Sequence, residues 1–248
     1  MLNNILIEIC CGSVEDTIEA ERGGADRVEL NSSLFFGGLT PSIGTVIEAK
    51  KRLNIPVIAM IRPRGGGFCY TDFEYTSMLE DAKLIIEYGA DGIVSGILKE
   101  DGTIDKERNA ELVKIAGNKE IVFHRAFDVV PDPFLAVDEL VEMGFSRILT
   151  TGQMDNVDYG IDLIKQLIDY ADNRIEILVG GVNKYNVTNI LQKTGCKEVH
   201  MASFVTRFDK SAVNGTEIHY GSSLYPSEDK YKIIDRNAVM KINNILSK

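Results

Sequence analysis

The sequence predicts an α/β fold, a single closed (β/α)8 barrel, on two observations. Eight short apolar runs are each followed by a stretch of helical period, and a two-strand unit echoes along the chain. The echo is Gly24-Ala25-Asp26-Arg27-Val28-Glu29-Leu30 against Gly89-Ala90-Asp91-Gly92-Ile93-Val94-Ser95, with weaker copies at Gly144-Phe145-Ser146-Arg147-Ile148-Leu149 and Gly195-Cys196-Lys197-Glu198-Val199-His200. Each copy sets a glycine where a helix closes through a left-handed residue and then enters an even-numbered strand. A unit used four times suits a closed barrel; an open doubly wound sheet, the alternative, needs a strand-order switch.

The elements follow in order. Leu6-Ile7-Glu8-Ile9-Cys10 is the first strand, and Gly12-Ser13 caps a helix with Glu15 and Asp16 in its first turn. Arg27 to Asn31 is the second strand. Val57 to Ile61 is the third, ending in Arg62-Pro63-Arg64-Gly65-Gly66-Gly67. The proline stiffens that exit and the glycines admit close backbone approach. Later strands read as Gly92 to Ser95, Ile121 to His124, Arg147 to Leu149, Glu176 to Val179 and Glu198 to Met201, with helices such as Thr76 to Tyr88 and Asp158 to Ala171 between them. The barrel covers about residues 5–204. Residues 205–248 read as a C-terminal extension: a polar loop, Val205 to Asp229, and a final helix, Lys230 to Leu246. With no linker or low-complexity tract, residues 1–248 form one domain.

The chain has 248 residues, 44% of them hydrophobic, which suffices for one full core. Its formal charge of −10 opposes sequence-independent nucleic-acid binding and attraction to anionic membranes. No apolar run approaches the ~18 residues of a spanning helix, and the start lacks the pattern of a secretory signal. Cys10, Cys11, Cys69 and Cys196 show no C-x-x-C spacing. A reducing cytoplasm is therefore the expectation. No nucleotide cofactor is expected.

Strand alternation carries the chemistry. With Ile7 and Ile9 facing the helices, Glu8 points inward, and the same parity turns Glu29, Arg62, His124 and His200 inward. One cavity then holds two carboxylates, an arginine and two imidazoles. Two readings follow. In one, Arg62 neutralises Glu8 and Glu29 as a purely structural cluster. In the other, Arg62 and Arg64 grip a small anion, phosphate or carboxylate, with backbone N–H groups near Gly180, Gly181 and Ser203 beyond the seventh and eighth strands. His124 is then the acid–base group, Glu8 its partner or a second base, and Asp128 either orients His124 or pairs with Arg125. Glu29 and His200 complete the binding set. Thr150-Thr151-Gly152-Gln153 suits neutral hydrogen bonding, and no lysine ends a strand where a Schiff base would form, Lys99 being the nearest.

A metal is the other possibility. The H-x-H and H-E-x-x-H pairs of zinc hydrolases are absent. Cys10 and Cys11 end the first strand and Cys69 follows the glycine loop; thiolates there suit Cu(I) or zinc. Leu34-Phe35-Phe36, an apolar run in a glycine-rich loop, is expected to cover the cavity mouth or a partner subunit.

Taken together, Glu8-Ile9-Cys10-Cys11, Gly23 to Leu30, Gly37-Gly38-Leu39-Thr40-Pro41-Ser42, Ile61 to Gly66, Phe123-His124-Arg125-Ala126-Phe127-Asp128 and Leu149 to Gln153 resemble the copper homeostasis protein family CutC. The resemblance spans most of residues 5–204. It implies a (β/α)8 (TIM) barrel, a cytoplasmic location, a homodimer or higher homo-oligomer, and a part in copper homeostasis through Cu(I) binding. Asn31 stands where members often have cysteine, which removes a thiolate from the mouth and implies weak Cu(I) binding. Gly67 replaces a frequent aspartate, leaving the loop more basic and more flexible. The residue chemistry keeps the alternative open: a metal-independent enzyme using His/Glu acid–base chemistry on a small anion.

Overall fold

A computed structural model describes residues 5–215, 218–220 and 227–246. Strands and helices alternate as β1 (Leu6–Cys11), α1 (Val14–Arg22), β2 (Arg27–Leu30), α2 (Ile43–Arg52), β3 (Val57–Met60), α3 (Asp72–Glu87), β4 (Gly92–Ser95), α4 (Lys106–Ala116), β5 (Glu120–Phe123), α5 (Pro133–Met143), β6 (Arg147–Thr150), α6 (Val157–Ala171), β7 (Glu176–Val179), α7 (Val187–Thr194) and β8 (Glu198–Met201). All eight strands pair in parallel, and β8 returns to β1 to close the barrel, Glu8 lying level with His200. The closed barrel expected from the sequence is therefore present.

The echo has a physical cause. Gly24, Gly89, Gly144 and Gly195 all take positive φ, which a side chain would resist. Two residues on, Asp26 and Asp91 each accept, at 2.8 Å, an N–H from the first or second residue of the preceding odd strand, Ile7 and Val57. Ser146 does the same for Ile121 at 3.2 Å. The unit thus ends a helix and pins the mouthless end of the strand beside it, satisfying a backbone donor that would otherwise be buried alone.

Outward-facing strand residues such as Ile7, Ile9, Val28 and Leu30 pack against the helices in the main core. Inside the barrel a smaller apolar plug, Ile58, Met60, Val94, Val122, Leu149 and Leu178, separates two polar layers. Helix starts are capped by side chains. Thr71 and Glu74 form a reciprocal capping box on α3, and Ser13, Ser42 and Asp132 cap α1, α2 and α5. Each such cap contributes about 1 kcal/mol.

The C-terminal region differs from expectation. Phe204–Phe208 and Lys230–Ile234 form an antiparallel pair, β9 and β10, outside the barrel, and the last helix, α8, runs only from Arg236–Leu246. Alternating Lys230-Tyr231-Lys232-Ile233 serves a strand as well as a helix. The N-terminal cap by Asp235, which accepts from Asn237 and Ala238, fixes where helix begins. Of the loop glycines, Gly221 lies outside the described residues. α8 packs on α1: a Cβ on Gly23 would meet Val239 at 2.6 Å, and Arg236 pairs with Glu19. Asp16 ties the regions together, accepting from Gly12 at 2.9 Å and from Ile234 at 2.7 Å.

Candidate functional site

A cavity of about 480 Å³ opens at the carboxyl end of the barrel, where loops from several strands converge. Glu29, Arg62, His124 and His200 line it, as strand parity predicts, together with Cys10 from the end of β1 and Asp128 from the turn after β5. Met60, Phe68 and Leu149 supply apolar surface that the sequence reading did not assign.

On one side, β1, β2 and β8 bring three donors together. Cys10 Sγ, a Glu29 carboxylate oxygen and a His200 ring nitrogen all lie within 4.8 Å of one another, the sole such cluster among the described residues. The Cys10 thiol donates to Glu29 Oε1 at 3.7 Å, and Asn31 Nδ2 donates to the same oxygen at 2.8 Å and to Cys10 Sγ at 3.5 Å. His200 Nδ1 is bound to Glu8 Oε1 at 2.8 Å, leaving Nε2 for a ligand. Burial, with the Glu29 charge adding to it, pushes the Cys10 thiol up to about 12. Burial also acts against the imidazolium of His200, but Glu29, Cys10 and Glu8 outweigh it and hold His200 well above the usual histidine range. Glu29 is raised by burial and by the charge of Glu8.

Thiol, imidazole and carboxylate are a donor set that a thiophilic metal accepts, and Cu(I) is satisfied by sulfur and nitrogen alone. These residues fit such an ion once Cys10 and His200 give up their protons, so binding would release protons.

Glu8 itself lies beneath the site. Its other oxygen is bound to Arg27, which also donates to Glu198 at 2.6 Å. Burial favours the neutral acid at Glu8, but Arg27 and then His200 prevail and hold it at about 2. The expected cluster of Glu8 and Glu29 around Arg62 is therefore corrected: the cation of Glu8 is Arg27, and its histidine is His200 rather than His124. Arg27 was legible, since it stands two residues before inward-facing Glu29 and shares its parity.

The opposite side is built on β3 and β5. Arg62 is only 6% exposed, and it donates to the carbonyls of Phe36, Gly38 and Gly66 at 2.9, 3.1 and 2.7 Å while lying over the Phe68 ring. His124 Nδ1 accepts from Ala126 N at 3.1 Å, and burial followed by the nearby Arg62 charge lowers its pKa to about 3. Asp128 pairs with Arg125 at 2.7 Å and accepts from Thr150, Thr151 and Gln153; it makes no bond to His124.

Several expected site residues do not line the cavity. Arg64 is bound to Glu74 at 2.6 Å and to neighbouring carbonyls. The Gly180 N–H is spent on Thr150 O, and Gly181 packs on Val157. Ser203 accepts from Asp235 N through its carbonyl. Cys11 is buried on the helix-facing side of β1, and Cys69 is exposed on the loop after β3. Leu34 reaches the cavity from a 3-10 turn, Leu34–Phe36, whereas Phe35 and Phe36 are 58% and 60% exposed.

Known proteins resemble this chain over most of its length. A family model described as the CutC family matches residues 5–205. A CutC family protein of Treponema denticola is 50% identical over 97% of this chain and 98% of its own. Copper homeostasis protein cutC homologs of mouse and human are each 43% identical over 98% of this chain, covering 90% and 89% of theirs. A crystal structure described as a copper homeostasis protein CutC, from Streptococcus agalactiae, superposes with a TM-score of 0.76 at 42% identity, over 79% of this chain and 97% of that one. Phosphoribosylanthranilate isomerase of Pyrococcus furiosus, 14% identical with a TM-score of 0.55 over 98% of both chains, shares the fold alone. By the match of the family model across the barrel and the identity to full-length relatives, this chain belongs to the CutC family.

Proposed function

We propose that this protein takes part in copper homeostasis by binding Cu(I) through Cys10 and His200, with Glu29 beside them. The observation that carries the reading is the convergence of the three donors within 4.8 Å at the barrel mouth. The fixing of His200 Nδ1 by Glu8 supports it, because a metal-bound imidazole is normally oriented through its other nitrogen. The names of the mouse and human relatives point the same way. A single thiolate, already accepting from Asn31, makes for modest affinity. The reading places the protein in a reducing cytoplasm and has it self-associate through the exposed Phe35 and Phe36 face; sedimentation of the wild type against Phe36→Ser checks the latter. Competition with a Cu(I) chelator tests the metal. Cys10→Ser and His200→Ala should each weaken binding at least tenfold, and Cys69→Ser should not; wild-type affinity in Cys10→Ser rejects the site.

A second reading draws on the other wall: a metal-independent enzyme acting on a small anion. It is supported by the buried His124 Nε2, which has no partner among the described residues. Because Glu8 is engaged by Arg27 and His200, acid–base work in this reading falls to Glu29, raised by burial.

A further inference from the structure

We propose that the cavity seats a small carboxylate, one oxygen accepting from His124 Nε2–H and the charge lying beside the Arg62 guanidinium. This rests on the second reading, that the cavity takes a small anion, and specifies which one.

His124 Nδ1 accepts the Ala126 N–H, so a neutral ring carries its proton on Nε2. The ring is 3% exposed and kept neutral by burial and by Arg62. Its Nε2 is buried without an acceptor among the described residues, although His124 lines the cavity. Nor can the ring turn away: Phe68 lies against it with centroids 4.9 Å apart, and Gly96 is so close behind that a Cβ there would meet the ring at 2.7 Å. A fixed, buried donor with nothing to donate to marks a ligand oxygen.

Charge narrows the class. The guanidinium of Arg62 donates to neutral carbonyls, and no ion pair among the described residues includes it. A buried cation without a carboxylate calls for a counter-charge from elsewhere. Only one such charge is on offer. Arg125 is neutralised by Asp128, Arg64 by Glu74 and His200 by Glu8, and the Gly180 N–H that a phosphate would need is already bound. A monoanion fits this wall, a phosphate dianion does not. Met60, Leu149 and Phe68 leave apolar surface for a short carbon chain. Because β5 lies four strands from β1 in either direction around the barrel, the carboxylate sits across the cavity from Cys10.

The test uses the full chain, freed of metal with a chelator, and two probes, butyrate and inorganic phosphate. Calorimetry is paired with the ring ¹⁵N resonances, assignable because the chain has only 3 histidines. Butyrate should bind and shift His124 Nε2. His124→Leu should weaken it roughly tenfold or more, as loss of a hydrogen bond to a charged group does. His124→Gln, which keeps a donor at similar reach, should retain most of the affinity, and Cys69→Ser, outside the cavity, should leave it unchanged. The ring shift is read on the wild type, so a poorly folding variant does not decide the matter. Binding of phosphate in place of or as tightly as butyrate, or butyrate binding that His124→Leu does not alter, overturns the carboxylate subsite while leaving an anion cavity. Binding of neither probe overturns both.

Discussion

The floor and the mouth of this barrel are both polar, and they spend their polarity in opposite ways. At the floor, Arg27 and Arg147 share Glu198, Arg27 also holds Glu8, and Arg147 holds Glu120, so every cation has a carboxylate and every one of these carboxylates a cation. At the mouth, Arg62 has carbonyls for partners, His124 leaves a nitrogen unpaired, and Cys10, Glu29 and His200 crowd together beyond what their own bonds require. Compensation marks a scaffold and its lack marks a site. Glu8 belongs to both layers, one oxygen on Arg27 and the other on His200, so the floor sets the orientation of a residue at the mouth.

Breaking the floor should cost the fold most. Arg27→Ala leaves buried Glu8 with His200 alone and half-buried Glu198 with Arg147 alone, and should destabilise by about 3–5 kcal/mol in chemical denaturation. Arg62→Ala, which strands carbonyls instead, should cost about 1–3 kcal/mol. Equal losses would erase the distinction.

The two layers also differ in pH response. An unfolded Glu8 protonates near 4.5 while the folded one stays ionised to about 2, so its contribution is complete above 4.5 and fades as pH falls through about 2. His124 resists protonation to about 3, whereas the unfolded ring takes a proton near 6.5; stability drops as pH falls between these values, by at most about 1.4 kcal/mol per pH unit for one proton. His200 runs the other way: held charged above 6.5, it stabilises fully below that value and loses its effect as pH rises through its raised one. In stability measured against pH, His124→Leu should flatten the fall from 6.5 to 3, and His200→Gln should flatten the alkaline side.

How much of this was legible follows from what is local. Alternation within a strand is local, and it turned Glu8, Glu29, Arg62, His124 and His200 inward correctly. Partnership is not local: it depends on the stagger between strands, and Glu8 meets His200 across 192 positions. Alternation therefore turned these groups the right way, but their pairing was misread: Glu8, assigned with Glu29 to Arg62, is held by Arg27, and Glu29 accepts from Cys10 and Asn31. Backbone acceptors were invisible for the same reason, since nothing in Arg62-Pro63-Arg64 says that carbonyls from the loop after β2 will arrive to receive the first arginine. Glycine pairs told less still; Gly180 and Gly181 serve close packing against Leu149, Thr151 and Val157.

A smaller effect sharpens the mouth. Asn31→Cys adds a thiol where an amide now donates to Cys10 and Glu29. It should tighten Cu(I) binding severalfold in chelator competition while moving stability by no more than about 1 kcal/mol. No change in affinity would show that Asn31 has no bearing on the metal.

The closing of β1 against β8 also imposes an order in time. Cys10 and Glu29 leave the ribosome early and His200 late, and until β8 docks on β1 there is no neighbour for Glu8 Oε1 and no third donor beside the thiol. A nascent chain therefore carries the Cys10 thiol without its imidazole neighbour through most of its synthesis, and the trio comes into being in one late event, at the seam where the first strand meets the last. The segment that follows β8 sets its clasp beside that seam, when Ile234 reaches Asp16.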